Sequence, residues 1–239
     1  MILTGHEIRH QVELGNIVIE DFNEAQLGPN SYNLRLGDEL LVYKEAILDP
    51  RKDMKTAVVK IPEEGLVLMP GGLYLAKTQE YTETHGFVPQ VVGRSSIGRL
   101  GLWIHVTAGF GDLGFKGNWT LELACVQPVR VYPGMQICQT FYQTVYGNAA
   151  DEYHGKYQGS RDVVKSRIYQ ELEGSGETGT DAMILDPAND WIPRFAETTG
   201  YPPRNDPMGL NYRIIRYPVD LAKGIDYGPY GPWRGGKND

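Results

Sequence analysis

Cysteine is scarce in this chain: Cys125 and Cys138 are the only two among 239 residues. So thin a supply excludes a disulfide framework and suits a reducing compartment, so a cytoplasmic location is expected. Long apolar runs are also missing. No stretch approaches the ~20 consecutive apolar residues that a membrane-spanning helix needs. The opening MILTGHEIRH has no apolar segment of the secretory kind, so no membrane partner is expected. Positive charge is in the minority, with 23 Lys and Arg against 30 Asp and Glu and a formal net charge of −7. Non-specific wrapping of nucleic acid needs a basic face, which this balance disfavours, so no nucleic-acid partner is expected. A local cluster could still hold one small anion.

Hydrophobic residues make up 41% of the chain, enough for one sizeable core with an appendage. Thr4-Gly-His-Glu7 reads as a capping box that opens a short N-terminal helix, with Ile8 and Val12 one turn apart and Gly15 as the stop. Most of the chain beyond this helix reads as β. SYNLRL alternates Tyr32, Leu34 and Leu36 against Asn33 and Arg35. LVLMPGGLYLAKT gives two strands around Pro70-Gly71-Gly72. FVPQVVG, LWIHVTA, NWTLELACV and GMQICQTFYQTVY are further strand-like runs, closely punctuated by Gly and Pro. This pattern fits a sandwich or barrel and not repeated βαβ units. After about residue 170 the texture changes to a Pro-, Gly- and Tyr-rich segment with little periodicity. Two regions are therefore expected: a domain over 1–170 and an irregular C-terminal extension over 171–239.

Gly109-x-Gly111-x-x-Gly114 matches the dinucleotide-binding pattern. That motif needs a strand before it and a helix after it. Here FKGNWTLELACV comes next, which alternates like a strand, so the glycines sit in a hairpin or tight loop. They serve either positive φ angles or a close approach of bare backbone to a ligand. Upstream, Ser95 and Ser96 in GRSSIGRLG read as N-cap residues of one short turn, with Arg94 and Arg99 adding charge. A phosphate cradle and an ordinary capped turn with solvated arginines both fit. Glu122 shares a strand face with Thr120 and Ala124. It is a solvated surface residue or, if that face lines a pocket, a general base. The pairing of H-x-E with P-C-x-x-C that marks one class of zinc hydrolases is absent. His6 and His10 lie one turn apart with no third ligand nearby, so no zinc site is expected.

Taken in order, GPNSYNLRLG, GRSSIGRLGLWIHVTAGFGDLGFKGNWTLEL, YPGMQICQ and GKYQGSRDVVKSR resemble the dCTP deaminase family, a branch of the trimeric dUTPase-like superfamily. The resemblance covers most of residues 1–170. It implies a mainly β fold, a distorted jelly-roll or β-clip barrel, assembled as a homotrimer with active sites between subunits. It also implies zinc-free deamination of dCTP to dUTP and ammonia, with Mg²⁺ carried on the triphosphate. In the bifunctional form the reaction continues to dUMP and diphosphate. By resemblance Glu122 activates the attacking water, while Ser95 and Arg99 orient water and stabilise charge. Arg94, Ser96 and Gln139 match phosphate-side positions. Ala108 and Gly109 match backbone that reads the pyrimidine edge, and Asp112 matches the residue that holds the 3′-hydroxyl. Lys156, Tyr157 and Gln158 match the C-terminal arm that closes over the nucleotide. Arg94, Arg99, Lys156 and Arg161 are the cations expected to offset a triphosphate.

The chain departs from the family pattern at Gly111-Asp112-Leu113-Gly114, where Ile-Asp-Pro-Gly is usual, so a looser hairpin is expected. Ala108-Gly109 leans toward the bifunctional members. Two other readings remain open, a plain dUTPase and a nucleotide-binding regulator that works through its extension. The dTTP nucleotide belongs with dCTP and dUTP among the expected ligands.

Overall fold

The computed structural model describes residues 1–105, 107–147 and 151–172. All but the first two residues of the expected C-terminal extension lie outside them. No helix among the described residues is long and apolar enough to cross a membrane.

The N-terminal helix α1 spans Gly5–Glu13. Thr4 Oγ1 caps it by accepting the Glu7 N–H at 3.2 Å. The Glu7 carboxylate does not complete the reciprocal box; it accepts from Gln11 Nε2 at 2.6 Å. The helix stops as expected at Gly15, whose φ is +77°. Its N–H reaches the Val12 carbonyl and the Asn16 N–H reaches the Gln11 carbonyl, both at 3.0 Å. That pair of bonds satisfies carbonyls the last turn would leave bare.

Ten strands succeed the helix: β1 (Ile17–Ile19), β2 (Tyr32–Tyr43), β3 (Thr56–Lys60), β4 (Leu66–Leu68), β5 (Tyr74–Thr84), β6 (Phe87–Gly93), β7 (Leu102–Trp103), β8 (Lys116–Cys125), β9 (Val129–Val131) and β10 (Gln136–Thr144). Three single turns complete the set among the described residues: a 3-10 turn (Glu24–Gln26), α2 (Ser95–Gly98) and α3 (Tyr169–Leu172). The main sheet is antiparallel in the order β6-β10-β2-β5-β8-β7, with β1 on β5 and β3 on β2. Its inner face is apolar at every second residue, which buries Leu34, Leu36, Leu40, Leu121, Leu123 and Ile137 almost completely. The two ends of this path, β6 and β7, are neighbours in sequence and are joined by α2.

The chain then closes most of the gap between them. Of LWIHVTA only Leu102–Trp103 is strand. The loop after it returns to β6, where the Val91 N–H donates to the Gly109 carbonyl at 2.8 Å and the Gly111 N–H to the Pro89 carbonyl at 2.9 Å. A nearly closed antiparallel barrel results, as expected of a dUTPase-like fold. This closure also explains two of the glycines. A methyl group at residue 109 would overlap the His105 ring and the Val91 carbonyl, and one at 111 would overlap Trp119 and Pro89. The close approach anticipated for these glycines is made to their own chain.

One buried polar network crosses the sheet where its register shifts. The β2–β5 pairing is irregular between Leu36 and Leu40, and the β5–β8 pairing between Lys77 and Tyr81. There Glu80 turns inward, with a side chain that is 0% exposed. Its carboxylate accepts from Arg35 Nε at 2.6 Å, the Arg35 N–H at 2.8 Å and Gln26 Nε2 at 2.9 Å. Side chains thus replace the ladder bonds that the bulge removes. Removing one partner of a buried, hydrogen-bonded pair typically costs about 3–5 kcal/mol. Glu80→Ala is therefore expected to lower stability by about 3 kcal/mol in urea unfolding. A loss below about 1 kcal/mol would show that the network is neutral to stability.

Candidate active site

Glu122 projects from the outer face of β8, between Thr120 and Ala124, and is half-buried. Its partner across the ladder is the buried Leu75 of β5. Among the described residues the carboxylate has no hydrogen-bond partner. Burial pushes its pKa above the ordinary 4.5, and nearby His105 partly counters this. A carboxylate held in this way takes a proton more readily than a solvated one.

His105 is the member of this group that the sequence analysis did not single out. Its Nε2 lies 2.5 Å from the Val91 carbonyl. A carbonyl only accepts, so Nε2 carries the proton there. The opposite nitrogen, Nδ1, is buried without a partner among the described residues. Gly109 leaves the space that the ring occupies. Glu122, His105 and Gly109 therefore form one cluster, held where the loop closes onto β6. A single His in an alternating run carries no mark of this in the sequence. Ala108 is exposed beside Gly109, at the mouth of the same loop.

The Ser-Ser turn differs from expectation in its cap. Arg94, not Ser95 or Ser96, occupies the N-cap position, and it makes no side-chain cap bond. β6 runs to Gly93, so the turn begins directly at Ser95. Ile97 is buried beneath the turn, while Ser95, Ser96 and Arg99 are exposed on it. Among the described residues these three side chains have no hydrogen-bond partners. The Ile97 and Gly98 N–H groups donate to the Arg94 carbonyl at 2.9 and 3.0 Å. β7 pairs with the end of β8, Leu102 with Cys125 and Trp103 with Ala124. α2 is thereby tethered close to Glu122 along the chain.

A second group lies on β6, β10 and β2. The half-buried Arg94 donates from Nη1 to the Gln136 carbonyl at 3.0 Å. Gln139 sits opposite Val92 of β6 and Asn33 of β2, and its Oε1 accepts from Ser31 Oγ at 3.1 Å. The third group joins the Asp112 loop to the segment 153–160. Asp112 is exposed, and its carboxylate has no partner among the described residues. The Tyr157 hydroxyl accepts the Arg167 N–H at 3.0 Å. Gln158 uses its whole amide on backbone: Oε1 accepts the Lys116 N–H at 2.9 Å, and Nε2 donates to the Gly114 carbonyl at 2.8 Å and the Tyr153 carbonyl at 2.9 Å.

Two of the four cations expected to face a triphosphate are engaged within the chain. The Lys156 ammonium pairs with the Glu171 carboxylate and lies 5.5 Å from the centre of the Tyr157 ring. Arg161 makes a two-pronged contact with Glu20 at 2.7 and 2.9 Å, and stacks on Tyr81 at 4.0 Å. Arg94 and Arg99 make no ion pair among the described residues. No group of three or more His, Cys, Asp or Glu that could hold a metal gathers among the described residues.

Residues 2–145 match the family described as dCTP deaminase-like. The chain is similar to the protein of Clostridium acetobutylicum named "dCTP deaminase, dUMP-forming", at 55% identity over 172 residues, which are 72% of this chain and 99% of that protein. The protein of the same name from Leptospira biflexa is 54% identical over 173 residues, again 72% of this chain and 99% of its own length. Among solved structures, the 2′-deoxycytidine 5′-triphosphate deaminase from Agrobacterium tumefaciens is similar over 60% of this chain and 48% of that one, with 22% identity and a TM-score of 0.49. The family match over most of the barrel and the high identity along nearly the whole of these relatives settle its kinship: the chain belongs to the dCTP deaminase-like family.

Proposed function

We propose that this protein deaminates dCTP without zinc and carries the product through to dUMP. The observation that carries the reading is Glu122, a half-buried carboxylate with a raised pKa and no competing hydrogen bond among the described residues. Attack of water on a ring carbon needs a base to take its proton, and a carboxylate of this kind can supply it. In the proposed reaction Glu122 takes a proton from water as its oxygen attacks C4 of the cytosine ring. The same carboxyl passes that proton to N3 of the ring, then takes the proton of the new C4 hydroxyl and gives it to the leaving amine as C4=O forms and the C4–N bond breaks. The balance is dCTP and water in, dUTP and ammonia out. A second water attacks the α-phosphorus of the bound dUTP and releases dUMP and diphosphate. The names of the two curated relatives support that second step, as does the absence of a side chain at Gly109.

The remaining roles divide among the three groups. Ser95 and Arg99 orient water and meet charge at the ring. Ala108 and Gly109 present backbone to the pyrimidine edge, and Asp112 accepts from the 3′-hydroxyl. Arg94, Ser96 and Gln139 face the phosphates, and Lys156 and Tyr157 close over them. Mg²⁺ arrives on the triphosphate as part of the substrate, which also offsets the charge that an acidic chain would repel. The exposed apolar side chains Leu100, Trp103 and Val126 around α2 and the end of β8 support a homotrimer in which a second copy covers this edge.

Two experiments test this reading. Purified protein is incubated with dCTP and Mg²⁺, and in parallel with dUTP, and the nucleotides are resolved over time. dUMP is expected from dCTP without prior accumulation of free dUTP. dUTP as the sole end product would restrict the protein to deamination. dUMP from dUTP with dCTP inert would leave a dUTPase, and no product from either would favour a binding protein. Glu122→Gln keeps the shape of the side chain but cannot take a proton. Its kcat on dCTP is expected to fall by about 10³-fold, with affinity by calorimetric titration held within a few-fold. An unchanged kcat would remove Glu122 from the role of base.

A further inference from the structure

Gln158 spends both amide hydrogens and its carbonyl oxygen on main-chain partners. One of them, Gly114, lies in the loop that holds Asp112, and a second, Lys116, is the first residue of β8, where that loop ends. The third, Tyr153, lies on the segment that carries Lys156 and Tyr157. We infer that Gln158 is a positioning residue whose amide clasps the Asp112 loop to that segment. Reading of the 3′-hydroxyl and closure over the nucleotide are then set by one side chain. This inference rests on the proposal that the chain binds dCTP, and it gives Gln158 a different role from direct contact with substrate. An amide with all three groups engaged has little left to offer a ligand.

The neighbouring backbone supports the clasp. The Tyr153 N–H donates to the Leu113 carbonyl at 2.7 Å, the Gly159 N–H to the Lys116 carbonyl at 2.8 Å, and the Asn118 N–H to the Ser160 carbonyl at 2.8 Å. The two stretches therefore lie side by side from Leu113 to Asn118. The Phe115 ring packs between Trp119 and Tyr153, with centroids 4.7 and 6.1 Å away. At Gly114, φ is +78° and a methyl group would press on Glu152. The loop holds Gly109, Gly111 and Gly114 and no proline, so its own backbone restrains it little. Among the described residues Gln158 is the one side chain that bonds it at two points, on either side of Phe115. The restraint that local sequence does not provide at Asp112 comes from 44 residues further along the chain than Gly114.

The test uses the full chain with Gln158→Leu. Amide hydrogen exchange over residues 113–117 of the nucleotide-free protein is expected to quicken at least tenfold; unchanged exchange would overturn the clasp. The second readout is the preference for dCTP over its 2′,3′-dideoxy analogue, measured as the ratio of their kcat/KM values. Loss of the clasp is expected to lower that ratio at least fivefold, toward the ratio of Asp112→Ala, and to change it no further in the double variant. An unchanged ratio with both substrates equally impaired would overturn the inference and return Gln158 to a phosphate contact or a purely structural part. Should Gln158→Leu fail to fold, Gln158→Glu, which keeps the acceptor and loses both donors, is read in the same way. A wild-type protein inert on dCTP would overturn the deaminase reading alone, and the exchange measurement would still decide the clasp.

Discussion

Two hydrogen bonds, from the Val91 N–H to the Gly109 carbonyl and from the Gly111 N–H to the Pro89 carbonyl, carry the chain from β7 back to β6. Everything proposed for the site depends on that return. It brings the His105 ring against Val91 and leaves its influence on Glu122. It fixes where Ala108 and Gly109 present their backbone. It also sets the starting point of the Asp112 loop, which Gln158 then holds from the far side. The constraint is steric as much as polar, because Gly109 and Gly111 lie where any side chain would collide with the body of the barrel. A dinucleotide loop needs its glycines to face a pyrophosphate at a helix terminus. These face a strand.

Much of the architecture was legible because it comes from alternation. β2, β8 and β10 bury every second residue against one core, and their runs read as strands from the sequence. The same alternation placed Glu122 on the outer face of β8. Three of the shorter strands, β1, β3 and β9, were not legible. Ile17–Ile19 and Val129–Val131 are three residues each, and Val58 at the middle of β3 is exposed, so none presents a period. The Ser-Ser turn was recognised but its cap was misplaced, since β6 runs to Gly93 and leaves Arg94 in the cap position. Sequence also shows charges without their partners. Lys156 and Arg161 carry charge that is paired here with Glu171 and Glu20, 15 and 141 residues away. The looser hairpin expected from the missing proline meets a restraint, Gln158, that no local reading could supply.

The electrostatics of the chain then take a definite form. A net charge of −7 does not favour a triphosphate, and two of the four candidate cations are engaged by carboxylates within the chain. Arg94 and Arg99 remain, with the amides of the turn between them. In the proposed function Arg94 faces the phosphates and Arg99 meets charge at the ring. Glu122 lies across the ladder from the buried Leu75, and the His105 ring lies on the Val91 carbonyl of β6. Burial can raise a carboxylate pKa only where water and cations are kept at a distance.

Glu122 as the base is the centre of this account, and its titration is the most direct test. The measurement is the pH dependence of kcat/KM for dCTP, which reports groups of the free enzyme. Because burial raises the Glu122 pKa, the basic carboxylate is present only above that raised value, and activity falls as pH drops through it. The acidic limb should lie above the ordinary 4.5 of a glutamate and vanish from the residual activity of Glu122→Gln. A limb at or below that value, or one that persists in the variant, would contradict the account.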